Sequence, residues 1–159
     1  MQLEFDTKIT TNVLFDYMLH HTYGTFSGFL GSGVGAVLIV VFFGSGNFLH
    51  LAAGLVLLAY LPCSLYLSSA KQMKTSPAFQ KPLHYKMTDE GIEVSQGEQS
   101  QLQKWDDIYK VVSTGKSIVV YNTKVNAWIF PRKDMGEMTP KVIEMISTHV
   151  KPAKVKIRW

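Results

Sequence analysis

Five histidines, one cysteine and a pair of adjacent aspartates are the side chains from which this chain could assemble a reactive centre. His20, His21, His50, His84 and His149 are scattered, and no CxxC or HExxH spacing gathers ligands for a metal. A helix turns neighbours such as His20 and His21 about 100° apart, which makes them poor joint ligands. On a strand Asp106 and Asp107 face opposite ways and cannot act as an acid/base pair. There is no GxSxG elbow, no Cys–His pair outside the apolar region, and no GxxxxGK[ST] phosphate loop. Cys63 is the only cysteine, so no intramolecular disulfide can form. It reads as a small buried thiol beside Pro62. The residues therefore propose no reaction, no metal and no cofactor, and the expectation is a binding protein rather than an enzyme.

The C-terminal end offers a binding surface instead. Lys151, Lys154, Lys156 and Arg158 alternate with Val155, Ile157 and Trp159, one face basic and the other apolar. Beside an anionic leaflet each such cation contributes on the order of 1 kcal/mol, and Trp159 suits the interface. The alternative is a solvated tail or an extra edge strand. Trp105 and Trp128 stand among alternating apolar residues and read as core packing rather than as a ligand platform.

What carries this surface is set by a long stretch without charge. Residues 17–70 contain no Asp, Glu, Lys or Arg. Within them lie two apolar blocks, Phe26 to Phe43 and Phe48 to Leu67, separated by the turn-forming Gly44-Ser45-Gly46-Asn47. Crossing the hydrocarbon takes roughly 20 apolar residues, and neither block has the polar face of a soluble helix. They read as a transmembrane helical hairpin spanning residues 23–69. Glu4, Asp6 and Asp16 against Lys8 alone do not make the basic start of a cleavable signal. After the second block come Lys71, Lys74, Lys81 and Lys86, and residues 71–159 hold 15 Lys or Arg against nine Asp or Glu, a net +6. The positive-inside rule then makes both termini cytoplasmic. With the chain tethered this way, lipid headgroups are a nearer anion than nucleic acid.

Small residues recur along the first block. Gly24 and Gly28, and then Gly31 and Gly35, are spaced four apart, as in close helix–helix contacts. The partner is either the second block, through Ala52, Ala53 and Ala59, or a second copy of the chain. His50 stands about one turn from the loop and belongs at the far interface.

Residues 1–22 open with alternation: Leu3, Phe5, Thr7 and Ile9 on one face, Glu4, Asp6 and Lys8 on the other, a half-buried strand. Thr10 or Thr11 caps a helix expected to run straight into the first span, with Tyr17 and Tyr23 near the interface. Residues 70–82 are a polar linker marked by Pro77 and Pro82. Short strands follow at Leu83–Thr88, Gly91–Gln96, Gln99–Trp105, Ile108–Ser113, Ser117–Tyr121 and Asn126–Pro131. Thr139-Pro140 then opens a helix lined by Val142, Ile143, Met145, Ile146 and Val150. The fold expected is a membrane α-hairpin plus an α+β domain over residues 83–150. That domain is an antiparallel β-barrel or sandwich closed by a C-terminal helix, joined by the N-terminal strand and followed by the basic tail, 151–159.

Four segments carry a family likeness: LEFDTKITTNVLFDYMLHH, YKMTDEGIEV, WDDIYKVVSTGKSIVVYN and AWIFPRKDM. The chain resembles the YcxB-like family of bacterial membrane proteins. The resemblance implies a short N-terminal strand, two adjacent spans and a pleckstrin-homology-like (PH-like) C-terminal domain in the bacterial cytoplasmic membrane. By analogy with a related PH-like membrane protein, it also implies immunity to, or sensing of, a membrane-active peptide. The partners expected are the lipid bilayer, a peptide or protein ligand and a second copy of the chain. The competing functions are a structural adaptor holding a cytoplasmic partner at the membrane, or a small transport-associated subunit. The lack of polar residues at bilayer depth weighs against the last.

Overall fold

The computed structural model describes residues 2–157, Ser27 by its backbone alone. Strand β1, Leu3–Thr7, buries Phe5 and Thr7 while Glu4 and Asp6 face out. Thr10 accepts the Val13 N–H and so opens helix α1, Thr11–Tyr23. The expected unbroken helix does not form here. Instead α1 stops at Tyr23, and Thr25 caps a separate helix α2, Phe26–Ser45. Thr25 donates its hydroxyl to the Thr22 carbonyl (2.6 Å) and accepts the Gly28 N–H. Gly28 also approaches the Thr22 backbone so closely that a side chain would collide. The threonine and glycine together turn the chain where composition alone reads as continuous.

Gly46, with φ of 65°, ends α2, and Asn47 caps helix α3, Phe48–Thr75. The 20 residues of α2 span about 30 Å, the thickness of a hydrocarbon core. The 28 residues of α3 span about 42 Å and outrun it. Both helices are long and apolar enough to cross a membrane. Their outer faces are bare, with Phe43 80% and Phe48 73% exposed, whereas the core helix of a soluble domain would be covered.

Contact between α2 and α3 centres on one glycine pair. A Cβ built on Gly35 would lie 3.0 Å from the Gly54 carbonyl oxygen, and one on Gly54 would lie 2.7 Å from Ile39. Of the four glycines expected at a helix contact, Gly35 alone meets α3. Gly24 and Gly28 lie at the α1–α2 turn, and Gly31 faces open space. Ala52 and Ala59 are exposed and Ala53 half-buried. Gly54, with His50 and Leu58 at the spacing of four, is the partner that the pattern of small residues did not single out.

Beyond α3 the chain builds two sheets. The first has the order β1-β2-β3-β4, with β2 at Leu83–Met87, β3 at Gly91–Gln96 and β4 at Gln99–Lys104. The alternation of residues 3–9 sets its register: Phe5 pairs with Tyr85 and Leu3 with Met87, all antiparallel. The second sheet has the order β7-β6-β5-β8. Here β5 is Lys110–Ser113, β6 is Ser117–Tyr121 and β7 is Ala127–Pro131, and the two-residue β8, Val155–Lys156, lies parallel to β5. Trp105–Asp107 leaves β4 as a single 3-10 turn, so β5 starts two residues later than the pattern predicts. Among the described residues the sheets stay separate and do not close into a barrel.

A common core joins the sheets. Phe5 stacks on Tyr85 at 5.7 Å and meets Phe130 edge-on at 5.3 Å. After the short α4, Arg132–Met135, helix α5, Thr139–His149, covers this core with Val142, Ile143, Met145 and Ile146.

The glycine contact generates a contrast between two positions. Gly35→Leu is expected to force α2 from α3 and lower the melting temperature of the detergent-solubilised chain by several degrees. Gly31→Leu should leave it unchanged. Equal melting temperatures for both variants would contradict the packing described.

Candidate functional site

Helix α1 is the element that fixes the domain to the hairpin. Leu14 is buried against Ile9 and Ile129, with Met73 of α3 beside them. Phe15 meets Tyr66 of α3 edge-on at 5.5 Å. One turn around, Tyr17 and His21 lie on Tyr121 of β6, and His21 Nδ1 is 3.2 Å from the Tyr121 hydroxyl. Lys110 holds its ammonium 4.5 Å from the centre of the Tyr121 ring. Asp16 accepts the Lys116 N–H (3.2 Å), which anchors α1 to the β5–β6 turn.

Alongside α1 runs a groove formed by two adjoining cavities. The larger, about 700 Å³, is lined by His20, by Val112–Gly115, by Arg132 at the start of α4, and by Lys156 of β8. The smaller, about 400 Å³, shares His20, Thr114 and Gly115 and continues past Asp16 and Tyr23 to Gly24. The groove therefore reaches from the β8 edge of the second sheet to the residue just ahead of the α2 cap. Among the described residues that line it, two permanent cations and an imidazole stand with one carboxylate, which is engaged with the β5–β6 turn. Such a set suits an anion, because Arg and Lys donate charge-assisted hydrogen bonds to phosphate or carboxylate oxygens.

The basic tail is divided by the fold. Lys154 is drawn inward and donates to the carbonyls of Asp106 (3.2 Å) and Ile108 (2.6 Å). Val155 and Ile157 pack against the core, Lys151 is exposed, and Lys156 enters the groove. Arg158 and Trp159 lie outside the described residues. His20 and Arg132 complete the groove. Only the docking of α1 on the second sheet brings them to Lys156. Trp105 is buried, as expected, and its indole donates to the Thr88 carbonyl (2.9 Å). Cys63 is exposed on α3, not buried. His50 sits at the far turn, 3.0 Å from the Ser45 hydroxyl. Among the described residues no three His, Cys, Asp or Glu side chains converge as metal ligands would.

A second cavity, of about 450 Å³, opens where the sheets part, bounded by α1, the end of α3, β2, β3 and β7. Tyr85 lines it, fully buried, and its hydroxyl has no hydrogen-bond partner among the described residues. Leaving a buried hydroxyl unpaired costs about 1–3 kcal/mol. Burial pushes the Tyr85 phenol well above the usual tyrosine range. Tyr121 is raised for the same reason, with Tyr17 beside it adding to the effect.

These features define an α+β domain of two sheets and a closing helix, carried on an apolar two-helix hairpin. The model of one family, described as YcxB-like protein, matches residues 88–146 of the chain. The matched segment runs from the residue after β2 into α5, leaving β1, the three long helices, β2 and β8 outside it. Comparison with curated proteins and comparison with solved structures each return no match.

The buried phenols set a pH dependence. An unfolded chain ionises its tyrosines near pH 10, whereas the folded protein keeps Tyr85 protonated well beyond that. Above about pH 10 the unfolded state binds fewer protons than the folded one, so stability falls as pH rises. Unfolding curves taken between about pH 8 and 11 should show this fall, and Tyr85→Phe should flatten it. An identical slope in the variant would contradict the assignment.

Proposed function

We propose that this chain is a non-enzymatic, two-span protein of the bacterial cytoplasmic membrane, with both termini cytoplasmic. Its domain rests on the membrane surface and receives an anionic phospholipid headgroup in the groove beside α1. The observation that carries this reading is the meeting of His20, Arg132 and Lys156 in a groove that ends just before α2 begins. If α2 enters lipid at Phe26, the groove stands at headgroup level. The topology draws support from the lysines that follow the second apolar block and from the charge-free far turn. It also draws support from the pairing of β1 with β2, which requires the N-terminus to share a side with the domain. The order of a four-stranded meander, a three-stranded meander and a closing helix supports kinship with PH-like modules.

Two measurements test this reading. Alkaline phosphatase fused at Ser45 is expected to be active and at the C-terminus inactive; an active C-terminal fusion would overturn the orientation. In native mass spectrometry, the chain extracted from mixed lipid should retain phosphatidylglycerol in preference to phosphatidylcholine. Lys156→Gln should weaken that retention about fivefold, the equivalent of on the order of 1 kcal/mol for one cation near an anionic surface. Equal retention of the two lipids by the unaltered chain would remove the headgroup assignment.

A further inference from the structure

We propose that the cavity between the two sheets binds an uncharged, single-chain amphiphile that arrives from the bilayer. The cavity lies apart from the basic groove, and its volume of about 450 Å³ falls within the range of small-molecule sites. Leu14, Phe79, Val94 and Trp128 give it apolar walls drawn from four separate elements. Among the described residues no Asp, Glu, Lys or Arg lines it. A charged ligand would lose its hydration there without gaining a counter-charge, so the occupant must be neutral.

The polar end of that ligand is specified by Tyr85. Its ring is pinned by Phe5 and by Phe130, whose centroid is 4.7 Å away, so the hydroxyl cannot swing out to water. A phenol donates one hydrogen bond and accepts others, which suits a ligand hydroxyl or ester oxygen. Of the four buried polar atoms without a partner among the described residues, the Tyr85 hydroxyl is the one whose residue lines this cavity. Two exposed amides, Gln72 and Asn126, add polar groups at the rim.

The route follows from α3. Gln72 lies about 7–8 Å along the helix from Leu67, the last residue of the second apolar block. A molecule leaving lipid beside Leu67 reaches the cavity within two helical turns. A membrane-soluble amphiphile matches the neutral walls, the buried hydroxyl and this position together.

The full chain in nanodiscs of zwitterionic lipid allows a direct test, since these discs leave the basic groove without an anionic lipid. A decanol carrying bromine at its chain end should quench part of the tryptophan emission saturably, and Trp128→Phe should abolish that part. Tyr85→Phe keeps the ring and removes the hydroxyl; it should weaken binding at least fivefold without lowering the melting temperature. Val94→Phe, which fills the cavity, should weaken binding at least tenfold. The bromodecanoate ion should bind at least tenfold more weakly than the alcohol. Saturable quenching that persists in Trp128→Phe, or a carboxylate that binds as tightly as the alcohol, would overturn the proposal. So would unchanged affinity in Tyr85→Phe.

Discussion

The docking of α1 is the interaction on which the rest of this structure depends. One short helix buries Leu14 against the second sheet, sets Phe15 against α3, and lays Tyr17 and His21 on Tyr121. Each fully buried large side chain contributes roughly 1.5–3 kcal/mol, so a few such residues decide whether the hairpin and the sheets move as one body. The basic groove and the cavity between the sheets both border this helix.

The unequal lengths of α2 and α3 make that docking possible. The surplus of α3, about 12 Å, runs past the apolar blocks and brings Met73 against α1, while Tyr66 near the end of the second block meets Phe15. Ser69 is completely buried there, its hydroxyl donating to the Tyr66 carbonyl (2.8 Å). That internal bond satisfies its polarity. The shorter α2 begins where the capping threonine turns the chain, so α1 packs against α3 instead of continuing into α2.

Much of this was legible in the residues because the signals are local. Alternation from Leu3 to Ile9 marked a strand and its inward face, and the 3.6-residue recurrence from Val142 to Val150 marked the face of α5 that covers the core. Thr10 was visible as a cap. The interruption at Gly24-Thr25 was masked, because composition continues across it while a single side-chain-to-backbone bond breaks the helix. Gly54 was missed because it lacks a second small residue at the spacing of four. The parallel pairing of β8 with β5, the inward turn of Lys154, and the gathering of His20, Arg132 and Lys156 all arise from contacts distant in sequence. No window of neighbouring residues carries that information.

The pairing of β1 with β2 has a consequence for the order in which the molecule can be made. Residues 8–82 separate the two strands, so at synthesis rates of roughly 5–20 residues per second, β1 waits about 4–15 s for its partner. During that interval Leu3 and Phe5 have no sheet to join, while the apolar blocks leave the ribosome and must find lipid. In the proposed two-span topology, only a hairpin that has gone out and come back returns β2 to the side where β1 remains. That topology couples completion of the first sheet to insertion: a chain whose hairpin failed to return would leave Tyr85 and Phe130 without Phe5, and its domain unfinished.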